Sequence, residues 1–101
     1  MEFKNRLKQL REENGMIQKE LAEKIGVTRN SITAYENGNR EPDLEKIINL
    51  AKIFDVSIDY LVGVSDIKKR DSHFFVAVEK LKNISLKELL EIIEIVKKLQ
   101  N

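Results

Sequence analysis

A chain of 101 residues is one domain, or one domain with a short appendage, and its 42% apolar and 35% charged residues describe a folded protein rather than a fibrous one. With no cysteine and a single histidine, His73, it has no disulfides, thiolate metal sites or cysteine nucleophiles, lacks the usual zinc sets, and offers little basis for a His-based triad. The net charge of +1 is uneven, +2 over residues 1–40, −4 over 41–66 and +3 over 67–101, so a polyanion would meet the N-terminal part or Lys68-Lys69-Arg70. No enzyme, metal or other cofactor is expected. The charged start, Met1 to Arg6, is not followed by an apolar run, and no stretch approaches the roughly 18 apolar residues of a membrane span, so a cytoplasmic, non-membrane protein is expected.

Apolar residues recur at helical spacing almost throughout. Phe3, Leu7 and Leu10 give a first helix, stopped by Asn14-Gly15. Leu21, Ala22 and Ile25 give a short second helix, ended by Gly26. Thr28 is placed to cap a third, with Ile32 and Tyr35 inward and a stop at Asn37-Gly38. After the polar loop Asn39-Arg40-Glu41-Pro42, Asp43 caps a fourth helix that turns Leu44, Ile47, Ile48, Ala51 and Phe54 inward. Ser57 caps a fifth, with Ile58, Leu61 and Val62 inward and Gly63 closing it. Tyr60 reads as a partly buried packing residue.

From Val64 to Ser72 the chain is polar and basic and reads as a linker, with His73 an ordinary linker or helix-start residue. Phe74, Phe75, Val78 and Leu81 fit a further helix. Ser85 with Glu88 three residues on is a capping-box signature for a last one. That helix has two apolar stripes: Leu86, Leu89, Leu90, Ile93 and Val96 on one, Ile92, Ile95 and Leu99 on the next. One domain covers one stripe, so the excess argues for a partner chain, with Leu86, Leu89, Leu90, Ile93 and Val96 as the dimerisation face. A hairpin folded back on its own domain is the alternative. Residues 1–65 are expected to form one unit, and residues 66–101 a linker and helical dimerisation segment.

The stretch from Gln18 to Gly38 carries the function. Ala22 is small enough for the third helix to cross closely, Gly26 permits a left-handed turn, and Val27 and Ile32 fill the angle between the helices. Arg29, Asn30, Thr33 and Asn37 point away from the core, on a face suited to the major groove. The pattern Leu10-Arg11, Gln18, Leu21-Ala22, Gly26-Val27, Ile32, Tyr35-Glu36, Gly38, Pro42, Leu50-Ala51 and Leu61 resembles the helix-turn-helix family of phage lambda repressor and Cro, the Xre-type regulators. The resemblance covers about residues 3–63.

It implies an all-α, five-helix lambda-repressor-like DNA-binding domain, here followed by a C-terminal two-helix extension, with residues 28–37 as recognition helix. Carried over position by position, Arg29, Asn30 and Thr33 would face base edges. Gln18, Thr28, Ser31, Asn37, Asn39 and Arg40 would contact phosphates, and Gln18 would also buttress the base readers. Arg11 and Glu36 match an internal ion pair of the family. One departure is Ile17, where the family has Ser or Thr before the glutamine. The lost N-cap costs on the order of 1 kcal/mol unless Ile17 recovers it by packing on the first helix.

The function expected is a sequence-specific transcriptional regulator, a repressor, binding double-stranded operator DNA as a homodimer. No separate effector domain is visible, so derepression would need an antagonist protein or a shift in the dimer equilibrium. The alternative is a protein-interaction module, antitoxin-like or adaptor, whose main partner binds the C-terminal helices.

Overall fold

The computed structural model describes residues 1–68 and 84–99. The helix expected around Phe74, Phe75, Val78 and Leu81, and the expectations for His73, Lys69 and Arg70, lie outside the described residues. Among those described the fold is all-α: α1 (Phe3–Glu13), α2 (Gln18–Ile25), α3 (Arg29–Asn37), α4 (Leu44–Phe54), α5 (Ile58–Leu61) and α6 (Leu86–Leu99). No helix among them is long and apolar enough to cross a membrane.

The caps form where side-chain chemistry placed them. Thr28, Asp43 and Ser57 accept hydrogen bonds from the amides of Ser31, Lys46 and Tyr60 at 3.1, 3.0 and 3.0 Å. Ser85 and Glu88 make the reciprocal box, Glu88 N donating to Ser85 Oγ at 3.1 Å and Ser85 N to Glu88 Oε1 at 3.2 Å. Each satisfies donors that a helix start leaves open.

α3 packs on α2 and α1, and α4 is covered by α2, α5 and α6. Leu7, Leu21, Ile32, Leu44, Ile47, Leu50 and Leu61 are fully buried in one core. The chain start lies across the end of α5. A Cβ on Gly63, whose φ is +86°, would sit 1.7 Å from the carbonyl oxygen of Met1, so only glycine fits there.

α6 corrects the expected dimerisation face. Leu86, Leu89 and Ile93 are 4%, 1% and 2% exposed and belong to the same core as α1–α5. Leu90 is half-buried, and of the five only Val96 is exposed. The physical reason lies in α4. Besides the stripe of Leu44, Ile47, Ile48, Ala51 and Phe54 it buries Leu50, so its apolar surface is wider than one neighbour covers. α6 is tied down at both ends. Leu44 N donates to Ile84 O at 3.0 Å within an Asp43–Ser85 bridge, and Lys97 Nζ donates to Val64 O at 2.6 Å. Leu86, Leu89 and Ile93 of α6 therefore share a core with residues of α1–α5.

Candidate nucleic-acid interface

The crossing of α2 and α3 follows from small details of sequence. Ala22 is buried at the contact, Gly26 takes φ +72°, and Val27 N returns to Ala22 O at 3.0 Å. This turn sets α3 with Ser31, Ile32 and Tyr35 inward. Arg29, Asn30, Thr33 and Asn37 are left on the exposed side.

A chain of hydrogen bonds locks the two helices to α1. Arg11 donates from Nε to Glu36 Oε2 at 2.6 Å, from Nη2 to Glu36 Oε1 at 3.0 Å, and from Nη1 to Met16 O at 2.8 Å. The hydrogen bond to Glu36 raises the Arg11 pKa against its partial burial. Gln18 Nε2 donates to Glu36 Oε1 at 3.2 Å, and the Thr33 hydroxyl donates to Gln18 Oε1 at 3.0 Å. The pair expected to be internal is internal, and Gln18 is held against the exposed side of α3 through Thr33.

Arg29 and Asn30 are exposed, and neither side chain has a hydrogen bond or ion pair among the described residues. Their donors and acceptors are therefore available to a ligand. Asn37 Oδ1 accepts from Asn39 N at 3.0 Å, which closes the turn and leaves the Asn37 amide protons outward.

Ser31 departs from its expected role. It is 8% exposed, and its hydroxyl lies 2.8 Å from Arg40 Nη1 and 3.1 Å from Thr28 Oγ1. Buried and bonded on both sides, it cannot meet a phosphate directly. It fixes Arg40 and Thr28, whose residues are exposed, from behind.

Ile17 does not recover the missing cap. It is 59% exposed instead of packed on α1, and no side chain caps the amides of the first turn of α2. Only its own N–H is satisfied, by Glu20 Oε1 at 3.1 Å. Open amides at a helix start, with the positive end of the helix dipole, favour an anion. Two positions that sequence reasoning passed over share this surface. Lys19 is the exposed second residue of α2, and Ala34 is half-buried, four residues after Asn30 and three before Asn37. Helical spacing from Asn30 and Asn37 places Ala34 on their side of α3.

The helix-turn-helix family profile matches residues 7–61. An uncharacterized HTH-type transcriptional regulator of Bacillus subtilis, YqaE, is 47% identical over 60 residues, 59% of this chain and 52% of that protein. The chain thus spans about half the length of the relatives it matches in sequence. Among solved structures, the P22 c2 repressor in complex with a synthetic operator superposes with a TM-score of 0.61 at 26% identity, covering 64% of this chain and 98% of that one. A transcriptional regulator from Listeria innocua superposes with a TM-score of 0.61 at 30% identity, covering 98% and 92%.

Proposed function

The chain belongs to the helix-turn-helix family, and on that footing we propose that it is a cytoplasmic transcriptional repressor that binds double-stranded operator DNA as a homodimer, with α3 in the major groove. The observation that carries this is the contrast on α3. Among the described residues Arg29 and Asn30 stand exposed and unpaired, while Arg11, Glu36, Gln18 and Thr33 behind them are bound to one another and Ser31 to Thr28 and Arg40. Arg29 and Asn30 read base edges as paired donors and acceptors, with Thr33 beside them. Gln18, Thr28, Asn37, Asn39 and Arg40, with the open amides of α2, hold phosphates.

The second copy docks on the outer side of α6. A groove there, closed on one side by Glu41, is lined by Leu90 and Ile95 with Glu91, Glu94, Lys87 and Lys98. Charges of both signs around an apolar strip suit a two-fold contact, in which one patch must complement itself. An antagonist protein that covered the same strip would separate the copies.

Selection from random duplexes tests the proposal. It should enrich an inverted repeat with half-sites about 34 Å apart, one turn of DNA. Affinity should fall steeply with salt as phosphate contacts release counterions. No enrichment together with a flat salt dependence sinks it.

A further inference from the structure

Taking α3 as the groove-reading helix, the geometry points to Thr33 reading the operator with its methyl group rather than its hydroxyl, and selecting a thymine through the C5-methyl. A carboxylate accepts hydrogen bonds and donates none. Both oxygens of Glu36 are held by Arg11, and the Glu36 side chain is 5% exposed. The Gln18 atom 3.2 Å from Glu36 Oε1 must therefore be the amide nitrogen. That fixes the amide against a flip and turns its carbonyl oxygen to Thr33.

The Thr33 hydroxyl must then donate to Gln18, at 3.0 Å. Its other neighbour is also an acceptor, the carbonyl of Arg29 at 3.1 Å. One hydroxyl proton faces two acceptors, so Oγ1 has no proton to donate to a base and could only accept. Beyond Cβ a threonine has only Oγ1 and Cγ2. With Oγ1 bonded to Gln18 and the helix backbone, the methyl is the part of the exposed Thr33 side chain that no internal bond engages. In the major groove the apolar counterpart of a methyl is the C5-methyl of thymine. Arg29 and Asn30 thus read by hydrogen bonding and Thr33 by apolar contact. Arg11, three residues removed along the bonded chain, sets this by positioning Glu36.

Uracil lacks only that methyl, so replacing each thymine of the selected operator in turn by deoxyuridine isolates the contact. The full chain should lose about four- to tenfold in affinity at one position of each half-site, the value of one buried methyl or slightly more. Thr33→Ser keeps the hydroxyl and its bond to Gln18 and should show the same loss on the thymine operator. At that position it should show no further loss with uracil. Thr33→Val keeps the methyl and should retain the preference for thymine over uracil, at lower overall affinity because Gln18 loses its donor. Wild-type indifference to uracil at every position overturns the inference. So does discrimination kept by Thr33→Ser and lost by Thr33→Val, which would make the hydroxyl the reader. A protein that enriches no sequence at all removes the DNA-reading premise as well, and that result is distinct from both.

Discussion

The guanidinium of Arg6 lies 3.7 Å from the centre of the Tyr60 ring, and both residues are buried. Arg6 Nε donates to the Met1 sulfur at 3.3 Å and Nη2 pairs with exposed Asp66 at 3.6 Å, whereas Nη1 is buried without a partner. A cation in this setting depends on the ring face for much of its compensation. Tyr60 is thus a buried partner for charge, not only a packing residue.

Removing the ring should therefore hurt more than removing the charge. Tyr60→Ala strands a buried guanidinium over a cavity, and about 3–5 kcal/mol of stability should be lost. Arg6→Met keeps the volume and ends the desolvation penalty, so it should cost less than about 1.5 kcal/mol or even stabilise. Urea midpoints of the two variants decide it. Equal losses would show that the stacked charge itself holds α1 to α5.

Arg11→Ala should act through the fold before it acts through DNA. Its bidentate partner Glu36, whose side chain is 5% exposed, would be left with Gln18 as its one remaining donor. Breaking a buried pair by removing one partner costs roughly 3–5 kcal/mol. The expected result is a lower melting temperature, and weaker operator binding where Gln18 and Thr33 lose their fixed orientation. An unchanged melting temperature with binding lost would make Arg11 a DNA contact instead.

These residues show what sequence periodicity can and cannot carry. The apolar stripes of α1–α5, the caps Thr28, Asp43, Ser57 and Ser85, and the turn at Gly26 are local, and they are read from spacing and side-chain chemistry alone. Arg6 sits between Phe3 and Leu7 on the buried side of α1, but a charged residue is by default assigned to solvent. Its burial depends on Tyr60, 54 positions away. Ser31 is a similar case: the family resemblance implies a phosphate contact for it, while its hydroxyl is taken by Arg40 from the following loop. The stripe of Leu86, Leu89, Leu90, Ile93 and Val96 reads as a joint between copies because two apolar stripes demand two surfaces, and the stripes do not say which surface is the chain's own.

Asp43 and Asp59 should pull the stability profile in opposite directions in acid. The Lys46 backbone hydrogen bond lowers the pKa of Asp43 below its ordinary 3.8. Its contribution is complete above about that pH and is lost as pH falls through the lowered value. Burial raises the pKa of Asp59, with Lys97 opposing. Its charged form is a penalty at neutral pH, relieved as pH falls through the raised value toward 3.8. Asp43→Ala should therefore destabilise by about 0.5–2 kcal/mol at neutral pH, as a lost helix cap does, and by less in strong acid. Asp59→Asn should stabilise at neutral pH and lose that advantage below about pH 4. Denaturation curves across the acid range check both signs; a destabilising Asp59→Asn at neutral pH would mean that the Lys97 attraction wins.

The two stripes of α6 should respond differently to a charge. Ile93 is 2% exposed and lies in the same core as α1–α5, so Ile93→Asp would bury a carboxylate that has no partner there. α6 must then leave its seat, exposing α4, and the melting temperature should fall by many degrees. Leu99 and Ile95 are 81% and 58% exposed, and Ile95 lines the groove proposed to take a second copy. Leu99→Asp and Ile95→Asp should leave the fold of one copy intact, because neither side chain contributes to its core. If the outer strip joins two copies, these variants sediment as monomers. Two linked helix-turn-helix units hold both half-sites at once, and separated units lose that gain, so operator affinity should drop by orders of magnitude with α3 unchanged. Sedimentation, melting and DNA titration on all three variants separate the roles. Dimers that survive Leu99→Asp and Ile95→Asp together would place the joint elsewhere on the chain. A stable, well-folded Ile93→Asp would show that α6 is not part of the core.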